Sequence, residues 1–289
     1  MFLGLTGRLG IDYILPPAKR LGPVPTTKEI YRKYIDVAWP ATMQGLLLQL
    51  MTAVNLAMVG ALGADALAAV GIMSQPLMVM LVFVRSAAIA ITAIVARRKG
   101  EEDYEMMNSV LKQGILLTIL FYVPLLCLSF YFLEPVLTFA GAQASYIDEA
   151  VGYGQFIIIG LFFSAIGVML GAALIGVGNT KAIFKANAIG NVLNVVMSFN
   201  LIYGLGPIPA LGIKGAGIAT MTSYTLICFL LLYAIHTKDS HLSWHRGSWR
   251  FDRNILSSIY YIGGSSLGEQ AFELSLIHIS EPTRLDVIS

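Results

Sequence analysis

Amide and hydroxyl side chains recur at helical spacing within one apolar stretch of the sequence. Asn187, Asn191, Asn194 and Ser198 follow one another at intervals of four, three and four residues, which places them on one face of a helix. Their polar atoms could bind an ion or an organic substrate, or could form hydrogen bonds between helices. Because a polar stripe on a membrane-spanning helix avoids lipid, we expect it to line a cavity or an ion site.

An earlier apolar stretch carries three isolated polar residues, Gln44, Gln49 and Asn55. Buried polar side chains cost free energy unless they are paired, so these three are predicted to face the interior of a bundle or a water-filled cavity. Asn55 could offer its carbonyl oxygen or its amide to an ion or substrate. The alternative is a hydrogen bond between helices.

Three charged residues also lie within apolar stretches. Glu269 and Glu273 are four residues apart and share one helical face. A desolvated glutamate has a raised pKa and can carry a proton, although Glu269 could instead pair with a cation or lie near a helix entrance. Arg85 could repel cationic substrates, bind an anionic group, pair with Glu269, or extend to the membrane interface.

The elements that must position these residues are membrane-spanning helices. Of the 289 residues, 56% are apolar and 12% charged, whereas a soluble domain has about 45–50% and about 25%. A spanning helix needs about 20 largely apolar residues. Six such stretches lie near residues 35–60, 66–96, 110–133, 151–177, 183–203 and 213–235, and a seventh begins near Ile255. We therefore expect an all-α, polytopic membrane protein with a six-helix transmembrane bundle and the start of a seventh helix.

Composition argues against several classes of function. A net charge of +2 without a basic block disfavours nucleic acid as a partner. The two cysteines lie in apolar runs, and His236, His241 and His245 have no thiol or carboxylate cluster beside them, so neither a disulfide framework nor a metal site is expected. The sequence lacks HExxH, GxSxG and paired intramembrane aspartates, and an enzyme is not expected.

The basic residues predict the orientation in the membrane. Sixteen lysines and arginines fall in the N-terminal segment and the even-numbered loops, against Lys214 alone in the odd-numbered loops. By the positive-inside rule the N-terminus faces the cytoplasm of a multi-pass protein in a prokaryotic inner membrane. The predicted organisation is a cytoplasmic lead-in at 1–34, a bundle at 35–236, a cytoplasmic linker at 237–254 and the start of a seventh helix at 255–273.

The last residues change character within the seventh helix. Residues 274–284 read LSLIHISEPTR, which is the in-frame translation of a transposon-type sequencing adapter. We therefore expect residues 274–289 to be a non-native tail and the natural protein to continue past Glu273.

Several segments resemble the multidrug and toxic compound extrusion (MATE) family. Residues 54–63, VNLAMVGALG, are similar to the family's VDxxMVGxLG helix, and residues 92–100, TAIVARRKG, resemble TALVARxxG. Residues 176–181, GVGNTK, resemble RGxGDTK, and residues 210–220, ALGIKGAGIAT, resemble PALGVxGAAIAT. Their order and spacing make the resemblance specific over residues 35–273.

The resemblance implies a twelve-helix exporter of two six-helix lobes, of which this chain is the N-terminal lobe and the start of the seventh helix. The C-terminal lobe is then missing. Such a protein exchanges Na⁺ or H⁺ for an amphipathic, often cationic organic compound and needs no cofactor besides that coupling ion. The alternatives are a lipid-linked sugar flippase of the same superfamily and an inactive, truncated half-transporter.

The resemblance also assigns roles to individual residues. Asn55, Asn194, Ser198 and Thr220 match the cation site of the first lobe, with Asn55 and Ser198 in place of two aspartates. Because none of the four titrates in the useful range, they offer no proton acceptor. Glu273 resembles a seventh-helix glutamate of the Na⁺-coupled, NorM-like branch, and it could act together with Glu269. We expect the substrate cavity to include the polar residues Gln44, Gln49, Arg85, Asn187 and Asn191.

Overall fold

The computed structural model describes residues 26–204, 209–236 and 241–280, without the side chains of residues 33, 37, 75, 271 and 273–280. These residues form helices and connecting turns, with no strand in the described ranges. The helices are α1 (Thr27–Gly60), α2 (Ala64–Gly100), α3 (Tyr104–Phe139), α4 (Ile147–Gly176), α5 (Thr180–Tyr203), α6 (Gly212–His236) and α7 (Arg253–Ser280).

Six of these helices, α1 to α6, are long and apolar enough to cross a membrane. A helix suits that environment because it satisfies its own backbone hydrogen bonds where lipid offers none. The predicted all-α membrane class and the six predicted spans are confirmed.

The helices extend beyond the apolar stretches from which they were predicted, because polar residues cap their first turns. α1 begins at Thr27, inside the segment predicted as a lead-in. There the Thr26 hydroxyl accepts a hydrogen bond from the Glu29 amide, and the Glu29 carboxylate accepts one from the Thr26 amide. The Asp103 carboxylate likewise accepts from the Met106 amide at the start of α3. Hydropathy locates the apolar part of a helix, and caps add a turn or more.

α7 continues past the predicted start of the tail. The helix runs through Glu273 to Ser280, so the predicted start of the tail lies inside it, and the non-native origin of the tail stays a prediction. Residues 281–289 and the lead-in before Thr26 lie outside the described residues.

The centre of the bundle is α4, which packs most extensively against α6, α2 and α3. Glycines let the neighbouring backbones approach. A Cβ atom at Gly160 would lie 3.0 Å from the Met221 Cα of α6, and one at Gly176 would lie 2.9 Å from the Thr92 carbonyl oxygen of α2. This small-residue contact is the usual way in which membrane helices associate, because lipid supplies no hydrophobic force between them.

α5 packs chiefly against α6 and α1. The start of α6 reaches the end of α5 closely, since a Cβ at Gly215 would lie 2.6 Å from the Leu201 carbonyl carbon and oxygen. Among the described contacts, α7 packs chiefly against α2. The fold therefore places α5 beside α6 and α1, and α7 beside α2.

We predict that Gly215→Ala lowers the stability of the protein by about 1–3 kcal/mol, because the new methyl group would displace the backbone of Leu201. The measurement is the thermal unfolding midpoint of the purified protein in detergent. Gly171→Ala is the matched control, since a Cβ at that helical glycine meets no atom within 4 Å. Equal midpoints for the two variants would contradict the close α5–α6 contact.

Candidate functional site

The polar stripe of α5 turns its last two members toward the interior of the bundle. Asn194 is 5% exposed and Ser198 is 1% exposed. The Asn194 side-chain amide donates a hydrogen bond of 3.3 Å to the Thr220 hydroxyl of α6, which itself donates to the Ala216 carbonyl. Of the four residues that the sequence predicted as a cation site, the structure therefore joins Asn194 to Thr220 and places Ser198 one turn farther along the same buried face of α5.

Two oxygen atoms of this group are buried without a hydrogen-bond partner among the described residues. They are the Asn194 side-chain carbonyl oxygen and the Ser198 hydroxyl oxygen. Leaving such an atom unsatisfied costs about 1–3 kcal/mol. Nearby hydroxyls avoid this cost, since those of Thr220 and Ser223 donate to the carbonyl four residues earlier. The Ser198 hydroxyl does not, so it is available to a ligand.

The chemistry of this set is that of neutral oxygen donors. A carbonyl oxygen and two hydroxyl oxygens suit a hard cation, although such a cation favours carboxylates. Of the two predicted acids, Glu269 is the one whose side chain is described; it is exposed on α7, which packs chiefly against α2. We therefore regard Asn194, Ser198 and Thr220 as a candidate site for a cation that keeps part of its hydration shell.

Asn55 of α1 lies at about the same height along the helix axes as Ser198 of α5. The Lys181 ammonium lies 3.8 Å from the Asp36 carboxylate, and the Tyr203 hydroxyl donates a 3.0 Å hydrogen bond to the Met58 carbonyl. Both pairs are 145 residues apart in sequence, so α1 and α5 run parallel in a constant register. In that register Asn55 is level with residue 200, about 3 Å along the axis from Ser198.

Asn55 itself is half-buried, and within the described ranges no hydrogen bond joins its side chain to Asn194, Ser198 or Thr220. Its place in the site stays a prediction. The Tyr203 contact that fixes its depth was missed in the sequence, because a tyrosine at a helix end is equally typical of a membrane interface.

The predicted substrate-cavity residues of α1 and α5 are less enclosed. Gln44 and Asn191 are half-buried and Gln49 is exposed. The Asn187 amide donates to the Ile183 carbonyl of its own helix, at 3.0 Å. None of these observations tests a role in a cavity, which stays a prediction for each of them.

Arg85 and the acids of α7 lie apart from the α5–α6 group. Arg85 is exposed, and the described side chains include no ion pair between it and Glu269. Instead the neighbouring residues meet: the Gln270 amide donates a 2.9 Å hydrogen bond to the buried Ser86 hydroxyl. The side chain of Glu273 lies outside the described residues.

A family model described as MatE matches residues 40–200 of the chain. A probable multidrug resistance protein NorM of Oceanobacillus iheyensis is 28% identical, over 73% of this chain and 47% of its own length. Its counterpart in Thermotoga maritima is 24% identical, over 75% of this chain and 47% of its own length. The chain thus spans about half the length of these curated relatives.

Solved structures show the same helical arrangement. The bent form of the MATE transporter VcmN of Vibrio cholerae superposes with a TM-score of 0.77 at 20% identity, over 88% of this chain and 57% of that one. At this identity the likeness concerns the fold.

We predict that Tyr203→Phe loosens the end of α1. At the end of α1 the Leu62 amide donates its hydrogen bond to the Val59 carbonyl and not to the Met58 carbonyl. The Met58 carbonyl accepts a hydrogen bond from the Tyr203 hydroxyl of α5, which ties the two helices together. Losing a bond worth about 1 kcal/mol should speed amide hydrogen exchange in residues 55–62 roughly fivefold. Tyr233→Phe is the control, because Tyr233 is exposed on α6. Unchanged exchange in Tyr203→Phe would show that this contact does not position α1.

Proposed function

The chain belongs to the MatE family of transporters, and on that premise we propose that the whole protein exports amphipathic, often cationic organic compounds in exchange for an entering Na⁺ or H⁺. The names of the NorM relatives, which refer to multidrug resistance, support the direction and the breadth of this transport. We place the protein in a bacterial inner membrane with its N-terminus in the cytoplasm, on the strength of its basic loops.

The observation that carries the coupling is the pair of buried oxygens without hydrogen-bond partners, on Asn194 and Ser198. A cation that entered between α5 and α6 would satisfy both atoms together with the Thr220 hydroxyl. Because these groups do not titrate in the useful range, Na⁺ is the ion that suits this site. Coupling to H⁺ would instead require a carboxyl group, and Glu269 and Glu273 of α7 are the candidates.

The helix that would respond to the ion is α1. It is the least buried of the six spanning helices, and its main contact is with α5. If a cation at Ser198 also contacts the side-chain oxygen of Asn55, the protein binds that cation more tightly when α1 is in one position than when it is in another. Such differential affinity is what allows a ligand to shift a conformational equilibrium. The alternating access that follows needs the second lobe, which supplies the other wall of the cavity.

We predict that Asn194→Ala combined with Ser198→Ala, made in the full-length protein, weakens Na⁺-driven transport. Each lost ion contact is comparable to a hydrogen bond to a charged group, so the Na⁺ concentration for half-maximal rate should rise at least roughly tenfold. The measurement is accumulation of ethidium in proteoliposomes under an imposed Na⁺ gradient. Ser223→Ala is the matched control, because its buried hydroxyl already donates to the Ala219 carbonyl.

Two other results would change the assignment. Transport driven by a pH gradient could survive in the Asn194→Ala, Ser198→Ala variant and disappear in the Glu269→Gln, Glu273→Gln variant. That result would assign the coupling to H⁺ and to the acids of α7. No flux under either gradient, with the unsubstituted full-length protein and a broad panel of organic cations, would refute the antiporter.

A further inference from the structure

Residues 241–252, here called the α6–α7 connector, lie along the first three turns of α3. Five polar side chains of α3 hold its main chain. The Glu105 carboxylate accepts from the Gly247 amide at 2.7 Å, and the Lys112 ammonium donates to the Gly247 carbonyl at 2.9 Å. The remaining bonds join Asn108 to the Ser243 amide, Ser109 to the Ser248 amide, and Gln113 to the Arg250 carbonyl and the Asp252 amide.

The fit between the connector and α3 is close and specific. Gly247 has a φ of +77°, and a Cβ there would lie 2.5 Å from the Ser109 amide nitrogen. Lys112 is only 3% exposed although it is charged. Leu242 is buried in the core, and Trp244 packs against it. The conformation of the connector is therefore fixed by the bundle.

This attachment leaves the other side chains of the segment facing outward. Trp249 is 46% exposed and Phe251 is 49% exposed. Arg246, Arg250 and the first residue of α7, Arg253, are exposed as well. The two indole rings of the connector stack at 6.2 Å, which stiffens the aromatic part of this surface.

The three arginines have no carboxylate partner among the described residues. The carboxylates nearby each accept a hydrogen bond from a main-chain amide and keep their negative charge. Glu105 accepts from the Gly247 amide, Asp252 accepts from the Asn254 amide at 2.7 Å, and Asp103 caps α3. The exposed surface offers three guanidinium groups beside aromatic rings, and that of Arg246 lies 5.9 Å from the centre of the Tyr104 ring.

We propose that this surface binds the headgroups of anionic phospholipids. Guanidinium groups form paired hydrogen bonds with phosphate oxygens, and indole and phenyl rings favour the boundary between headgroups and acyl chains. The connector lies at the end of the bundle where α2 finishes with Arg97, Arg98 and Lys99. Basic segments beside membrane helices are attracted to anionic lipid in the same way. The lipid would hold the start of α7 at the membrane surface.

The test uses the full-length protein in detergent, titrated with phosphatidylglycerol or phosphatidylcholine, and native mass spectrometry to count the bound lipids. Replacing Arg246, Arg250 and Arg253 by Gln should weaken phosphatidylglycerol binding at least roughly tenfold and leave phosphatidylcholine binding unchanged. The matched control replaces Lys28, Arg32 and Lys185 by Gln, which removes the same charge from exposed positions on α1 and α5. Unchanged binding in the connector variant, or an equal loss in both variants, would overturn the proposal.

A second measurement does not depend on the folding of the arginine variant. Brominated phosphatidylglycerol quenches tryptophan fluorescence on contact, so Trp249→Phe should reduce the quenching seen in the unsubstituted protein. Trp39→Phe, on exposed α1, is the comparison. If Trp249→Phe leaves the quenching unchanged, the second lobe or another part of the protein covers this surface, and the proposal is wrong.

Discussion

Close approach between helix backbones at α4 is the constraint on which the rest of the structure depends. In lipid no hydrophobic force draws helices together, so contact area and small residues must do so. Gly160 and Gly176 admit α6 and α2 to within van der Waals distance of α4. Once α6 is fixed there, Gly215 fixes the end of α5 beside it. The candidate ion site lies between these two helices and inherits its geometry from that packing.

The buried polar side chains of this structure fall into two groups, those with hydrogen-bond partners and those without. On α3 the side chains of Asn108, Lys112 and Gln113 are buried and hydrogen-bonded, because they hold the main chain of the connector. On α5 the side-chain oxygens of Asn194 and Ser198 are buried and have no hydrogen-bond partner among the described residues. A satisfied polar group contributes to a fixed conformation, whereas an unsatisfied one stores a cost that a ligand relieves. The first pattern is structural, and the second is what we expect of the proposed ion site.

The sequence predicted the location of the spans because hydropathy is additive along the chain and needs no knowledge of neighbours. It also predicted the stripe of α5, since the spacing of Asn187, Asn191, Asn194 and Ser198 is a property of one helix. It did not predict that Asn194 and Ser198 would be buried while Asn187 and Asn191 stay half-buried. In the structure the buried face of α5 runs through Ala186 and Gly190 to Asn194 and Ser198, and Asn187 and Asn191 lie at the edge of that face. The role of Lys112 was also missed: as one of sixteen basic residues near the helix ends, it served only to predict the orientation.

The sequence by itself determined an all-helical membrane protein with six spans, because about 20 consecutive apolar residues have few other stable arrangements. Its motifs also indicated the family, which the match over residues 40–200 establishes. Only the tertiary structure decided which polar atoms meet. The Asn194–Thr220 hydrogen bond joins residues 26 positions apart, and the Tyr203–Met58 bond joins residues 145 apart. Such pairings depend on helix register and crossing, which arise from packing between helices rather than from the spacing within any one of them.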